Sequence, residues 1–356
     1  MMNYQEEFED LFQLVLKEGA SDLHITVGRH PTLRFDGNLV ELVKKTITTP
    51  EIADAFVSFI LTPEQKKTFL DSKELDFSYP FKDIARFRTN VFFQRGFPGV
   101  AMRLIPTKIR TFKELNLPDI LASFCDRPQG FLLVVGPTGH GKTTTLASMV
   151  DYINHSRTEH IITIEDPIEY LFTSDRSIVD QREVGIDTKN FPAALRSMFR
   201  EDVDVGMVGE MRDTETIATA VTAAETGHLI LSSLHTNNAA QSIDRIIDSF
   251  EASQQNQIRA QLSSSLIGIV SQRLVPRVSG GLIPAVEIMV ANSAVRNLIR
   301  ENKIHEIDLV IETSSESGMM SLNRSLVDLV RRGEISMESA VNFSLNPSEL
   351  KVFLRK

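Results

Sequence analysis

The apolar positions along this chain follow two regimes that meet near residue 108. In the first regime the period changes every ten to twenty residues. Over 4–18, Tyr4, Phe8, Leu11, Phe12, Val15 and Leu16 recur at helical spacing and Gly19 follows as a stop, which predicts an amphipathic helix. A short strand is expected at 23–27, then a hairpin of 32–35 and 39–43 turning on Asp36, Gly37 and Asn38. Thr49-Pro50 and Thr62-Pro63 each pair an N-cap with a first-turn proline, and Gln65 stands in capping-box position behind Thr62. Over 86–95, Phe87, Thr89, Val91 and Phe93 alternate with Arg86, Arg88, Asn90 and Gln94, so a half-buried strand is expected, with 99–105 as its partner. Residues 1–108 therefore read as a small α+β domain.

Residues 106–128 hold Pro106, Pro118 and Pro128 and one short amphipathic stretch, so the boundary is placed at 109–128. From 129 onward the pattern is different. Continuous apolar runs of strand length, 131–135, 161–164, 205–208 and 229–234, alternate with helical segments. Strands apolar on both faces and separated by helices imply a parallel sheet covered on both sides. The last stretch, from about 284 to 356, reads as helical, and Asn346-Pro347 opens a final short helix. The expected class is α/β, with a smaller α+β domain in front and a helical C-terminal region behind. Neither an internal repeat nor a low-complexity segment interrupts it.

Composition narrows the function classes. A chain of 356 residues is long for one core, and its 42% hydrophobic and 24% charged residues are ordinary for a globular protein. A net charge of −9 offers no overall pull toward nucleic acid, and no nucleic-acid partner is expected. Cys125 is the one cysteine, which rules out a disulfide framework or a cysteine-rich zinc site within the chain. The acidic start lacks the order of a signal peptide, and the apolar run 131–135 is far too short to cross a bilayer. A cytoplasmic protein without direct membrane insertion is expected.

The strongest chemical signal is Gly136, Pro137, Thr138, Gly139, His140, Gly141, Lys142 and Thr143, a full match to G-x-x-x-x-G-K-[ST], with Thr144 next. An apolar strand leads in and a helix over 144–153 leads out. In such a loop the glycines let backbone N–H groups wrap around phosphates at the positive end of the helix. Lys142 is expected to reach the β- and γ-phosphates, and the Thr143 hydroxyl to bind Mg²⁺. Two further apolar strands end in acids: 161–164 runs into Glu165 and Asp166, and 205–208 into Glu210. Ligands of open α/β sheets sit at the carboxyl edge, and hydrolysis needs one acid beside the metal and another to orient the attacking water. Glu165 and Glu210 supply both. His228 and His235 bracket the strand 229–234, and a histidine after a strand can sense a γ-phosphate as an uncharged donor; the bland alternative is a satisfied structural histidine.

With these residues in view the chain resembles the secretion ATPases and, among them, the PilT family of pilus retraction motors. The likeness covers nearly the whole length. It includes Ala20-Ser-Asp-Leu-His24, the phosphate loop, the acidic box from Thr163 to Glu169, the segment from Val208 to Asp213, and the histidines at 228 and 235. Ala294-Val-Arg-Asn-Leu-Ile-Arg-Glu301 is similar to a motif of retraction rather than assembly motors. The resemblance implies a PAS-like N-terminal domain, a RecA-like ATPase domain, ATP and Mg²⁺, and a homo-hexamer working on an inner-membrane platform protein at the pilus base. It implies Glu165 as general base and Glu210 as the Mg²⁺-side acid, an assignment that can be exchanged. It also implies arginines from the N-terminal domain near the nucleotide, for which Arg88 and Arg103 are the candidates. His140 stands where the family has a small residue, and Gly206 sits in a strand that is usually more β-branched and that it is expected to weaken.

The rivals are the accessory retraction paralogue, other motors of the superfamily, a nucleotide-gated switch with little turnover, and a RecA-like nucleic-acid motor. The single cysteine excludes the four-cysteine zinc insert of assembly and type II ATPases. Both strand-end glutamates are present, which favours turnover over a switch.

Overall fold

The computed structural model describes residues 4–35, 38–82, 84–105 and 108–355. The chain divides into two compact units. One holds the described residues up to 105 together with Pro167–Leu171; the other holds the described residues from 108 to 166 and from 172 on.

The first unit runs α1 (Tyr4–Glu18), β1 (Asp22–Ile25), β2 (Thr32–Phe35), β3 (Asn38–Glu41), α2 (Pro50–Ile60), α3 (Pro63–Ser72), β4 (Glu74–Phe81), β5 (Ala85–Gln94) and β6 (Phe97–Ile105). Its strands form one antiparallel sheet in the order β3-β2-β1-β6-β5-β4. The helix expected over 4–18 is α1, and its buried stripe is Phe8, Leu11, Phe12 and Val15. Phe12 is the centre of the core, with ring centroids of Phe56, Tyr79, Phe81 and Phe87 between 4.9 and 5.9 Å away. Thr49 caps α2, and Thr62 with Gln65 closes a reciprocal capping box on α3. β2 and β3 pair as the expected hairpin, Phe35 opposite Asn38; the turn residues Asp36 and Gly37 lie outside the described residues. β5 alternates as predicted, with Phe87, Thr89 and Val91 buried, and β6 is its partner.

The second unit continues with α4 (Ile120–Cys125), β7 (Gly130–Val135), α5 (Lys142–Ser156), β8 (His160–Glu165), β9 (Ile178–Glu183), α6 (Phe191–Met198), β10 (Val205–Val208), α7 (Thr214–Glu225) and β11 (Leu229–Leu234). Then come α8 (Ala239–Asp248), α9 (Ala252–Ser265), β12 (Leu266–Pro276), β13 (Leu282–Val290), α10 (Ser293–Arg300), α11 (Ile307–Thr313), α12 (Leu322–Arg331), α13 (Met337–Phe343) and α14 (Pro347–Arg355). Seven strands form a sheet in the order β13-β12-β7-β11-β10-β8-β9, all parallel except the β12–β13 pair. Every residue of β7 and β11 is buried, as strands covered on both faces require.

Two sequence expectations are corrected here. The helical C-terminal region begins at Ser293 rather than about 284, because Ile283, Pro284, Ala285, Val286, Glu287, Ile288 and Met289 are buried in β13 against β12. Within 295–301, Val295 and Ile299 are fully buried, and Arg296 donates to the carbonyls of Ser263 and Ser264 at the end of α9. Gly206 is not merely a weak point in β10. A Cβ there would stand 2.8 Å from Met198 Sδ and 2.9 Å from Ile230 Cδ1, so the glycine lets α6 lie close on the sheet. Among the described residues no helix is long and apolar enough to cross a membrane.

Candidate active site

β7, β11, β10 and β8 are neighbours and parallel, so their C-terminal ends share one edge of the sheet. The loop 136–141 leaves β7 at that edge and enters α5 at Lys142. Gly136, Gly139 and Gly141 have φ of 149°, 79° and 81°, where side chains are rarely tolerated. Gly136 has a second constraint, because a Cβ on it would lie 2.3 Å from the carbonyl oxygen of Gln272 on β12.

Lys142 is nearly buried, and its ammonium donates to the carbonyls of Gly136 (2.9 Å) and Pro137 (3.0 Å). It also lies 3.2 Å from His235 Nδ1, as does Thr138 Oγ1. An ammonium can only donate, so His235 Nδ1 accepts and the ring proton sits on Nε2. That Nε2–H faces Glu210 Oε2 at 3.3 Å, and the other Glu210 oxygen meets Arg212 Nη2 at 2.5 Å. Lysine, neutral histidine, carboxylate and guanidinium thus form one polar chain from the phosphate loop across the ends of β11 and β10. Thr143 follows Lys142 in the first turn of α5, half-buried.

Glu165 ends β8, three strands from β7, or about 14 Å at ordinary strand spacing. It is 3% exposed, and its Oε1 accepts from Thr163 Oγ1 (2.7 Å) and Gln181 Nε2 (3.2 Å). The Thr163 donor lies inside the acidic box from Thr163 to Glu169. Gln181 had no signal, because β9 is a half-polar edge strand.

His228 does not join this set, and its expected role is withdrawn for its own chain. It precedes β11, so it lies at the N-terminal edge: its carbonyl accepts from Gly130, the first residue of β7, at 3.0 Å. Six residues of strand, about 20 Å, separate that edge from the loop. Its ring is a structural one, with Nδ1 donating to Ala223 O (3.0 Å) and Phe199 packed edge-on.

Arg88 and Arg103 belong to the first unit, directly opposite each other on β5 and β6. Each is ion-paired there, Arg88 with Glu169 (3.1 Å) and Arg103 with Asp22 (2.9 Å). Asp22 is 8% exposed at the side chain and sits in register between Arg103 and Arg34, so the motif aspartate holds an arginine row on one sheet face.

Among the described residues no three or more acids, histidines or cysteines gather into a cage. Thr143 in the first turn of α5 and Glu210 just past the end of β10 are the candidates to hold a magnesium ion, which would complete its shell with water and phosphate oxygens.

Comparison with known proteins places the chain in a family. The model of the type II/IV secretion system protein family matches residues 5–302. The chain is 44% identical to the type IV pilus retraction ATPase PilT of Pseudomonas aeruginosa over 94% of its own length and 97% of that protein. It is 39% identical to the type IV pilus ATPase PilU of the same organism, over 98% of this chain and 91% of that one. A crystal structure of the pilus retraction motor PilT with bound ADP superposes with a TM-score of 0.91 at 44% identity, covering 97% of this chain and 98% of the other. With a shared fold, a complete phosphate loop and likeness along almost the whole sequence, the chain belongs to the type II/IV secretion system protein family.

Proposed function

We propose that this protein is the ATP-hydrolysing motor subunit that powers retraction of a type IV pilus, working as a homo-hexamer in the cytoplasm on a platform protein of the inner membrane. The observation that carries the reading is the polar chain from Lys142 through His235 to Glu210 at the carboxyl edge of the sheet. The names of the PilT relatives and the ADP bound to the superposed motor support the pilus and the nucleotide.

In this reading the backbone N–H groups of 138–144 and the Lys142 ammonium bind the ATP phosphates, with Gly136 and Pro137 shaping the entry to the loop. Thr143 and Glu210 hold magnesium, Glu210 through water, and the ion supplies charge neutralisation on the phosphates. Glu165 takes the proton of the attacking water, and the hydrogen bonds from Thr163 and Gln181 aim the carboxylate. His235 faces the γ-phosphate as a neutral donor or relay. Arg88 and Arg103 exchange their carboxylate partners for phosphate charge during the cycle. The PilU likeness supports one second reading, the accessory retraction subunit.

The test is Mg²⁺-dependent ATP turnover of wild type beside Glu165→Gln and Glu210→Gln, with particle mass by light scattering. A six-subunit mass, with turnover lost by about 10²-fold or more in each variant, is the expected result. A monomer that binds ATP tightly and shows no turnover to lose refutes the motor and favours a nucleotide-gated switch.

A further inference from the structure

His140 occupies the crown of the phosphate loop with a side chain where a small residue would suffice for cradling. β7 and β12 pair in parallel up to Val135 opposite Ser271, after which β7 turns into the loop and β12 continues to Pro276. That extension presents the N–H of Leu274, and His140 Nδ1 accepts it at 2.9 Å. The carbonyl of the same histidine accepts from Gln272 Nε2, also at 2.9 Å. Gln272 is 3% exposed, and its Oε1 accepts from Thr145 Oγ1 in the first turn of α5 at 2.7 Å. Behind the loop, a Cβ on Gly141 would meet Gln272 Nε2 at 2.9 Å and Leu274 Cδ1 at 3.4 Å. The loop therefore lies directly on β12. On its other side the imidazole is edge-on to Phe343, the last residue of α13, with centroids 6.3 Å apart.

We propose that the His140 side chain is a positioning residue: it fixes the crown of the phosphate loop to β12, ties it to α13, and thereby sets nucleotide affinity rather than the rate of the chemical step. The proposal rests on the reading that nucleotide phosphates occupy this loop. A cradle of backbone N–H groups binds phosphate well only if its arc is held before the ligand arrives, since ordering a loose loop on binding subtracts from affinity. The side chain supplies that order through the Leu274 N–H···Nδ1 bond, beside the Gln272 bond to the backbone carbonyl that any residue at 140 would keep. A neutral ring is needed for Nδ1 to accept. Burial first, then the charges of Arg273 and Lys142, push its proton affinity below the ordinary value, which keeps the acceptor available at neutral pH. A small residue would leave the Leu274 N–H without this acceptor and open the contact to Phe343, loosening the loop and cutting it off from the C-terminal helices.

The experiment measures binding of a fluorescent ADP derivative and steady-state kcat and KM for ATP, on the full chain. His140→Ala is expected to weaken ADP binding and raise KM by about three- to ten-fold, the loss of one hydrogen bond, with kcat within about two-fold. His140→Asn, whose Oδ1 stands where Nδ1 does, recovers most of the affinity, a rescue that a merely space-filling role would not give. Phe343→Ala shifts affinity in the same direction by about two-fold. Unchanged affinity in a folded His140→Ala, an equal fall in kcat, or an asparagine variant no better than alanine overturns the proposal. If His140→Ala does not fold, Phe343→Ala decides, and unchanged affinity there overturns it. Wild type that binds no nucleotide sinks the site reading as well; wild type that binds normally beside an unaffected His140→Ala sinks this inference alone.

Discussion

Replacing Gly136 by alanine adds a single methyl group, and the structure gives it a large effect. In favour of the variant, removing glycine from the unfolded chain gains about 0.5–1 kcal/mol. Against it stand two costs. With φ at 149° the residue lies where an L side chain is strained, which costs on the order of 1–3 kcal/mol. The new Cβ would also lie 2.3 Å from the Gln272 carbonyl oxygen, when ordinary contact starts at 3.4 Å. That oxygen is backbone in a strand held by β7 on one side and β13 on the other, so about 1 Å of movement has to come from the sheet or the loop. Overpacking of this kind costs about 1–3 kcal/mol. The net destabilisation is about 1–5 kcal/mol, or a melting temperature lower by roughly 2–20 °C for a unit of this size. Thermal melts of wild type and Gly136→Ala, each with and without Mg²⁺ and ADP, provide the assay. Wild type is expected to gain stability from the nucleotide, and the variant to melt lower and gain none. A variant within about 2 °C of wild type that still responds to ADP would refute the argument.

Two other predictions follow from packing and burial. Gly206→Val should lower the melting temperature although strand preference alone favours valine by about 1 kcal/mol, because its first carbon already crowds Met198 and Ile230; a higher melting temperature would show that propensity wins. Burial pushes the carboxyl of Glu287 up to about 7, with Asp308 adding to it while the Ala239 N–H and Arg273 oppose. The fold then keeps a proton that the unfolded chain sheds near 4.5, so this group's contribution to stability is full below that value and falls as pH rises toward 7. Glu287→Gln should remove the dependence, so the variant's melting temperature gains on wild type between about pH 5 and pH 8; a constant gap refutes it.

The phosphate loop was legible because its spacing encodes a backbone path: glycine where φ is positive, lysine and threonine at the helix start. Glu165, Glu210 and His235 were legible for a different reason, since each follows an apolar run and a parallel sheet gathers strand ends. The same rule misplaces His228 if the side of the strand is ignored, because a residue before a parallel strand lies at the far edge. Gln272 and Leu274 gave no signal. Their role depends on β12 lying beside β7, a pairing across some 140 positions that no local period records. β9 escaped for want of apolar alternation, with Ile178 exposed and Asp180, Gln181 and Arg182 following. Strand preference marks Gly206 only as a weak point, because it cannot see Met198 arriving from another helix.

The division of the acidic box has a consequence for how the chain is made. Glu165 and Asp166 belong to the second unit, but Pro167–Leu171 belong to the first, and they are synthesised 62 positions after Ile105. At about 5–20 residues per second, the ribosome delivers this last piece some 3–12 s after the sheet of the first unit is complete. Until then Arg88 has no Glu169 to pair with. A nascent chain stalled before residue 167 lacks the carboxylate that pairs with Arg88, so the N-terminal unit reaches its final form only while the second unit is already being built.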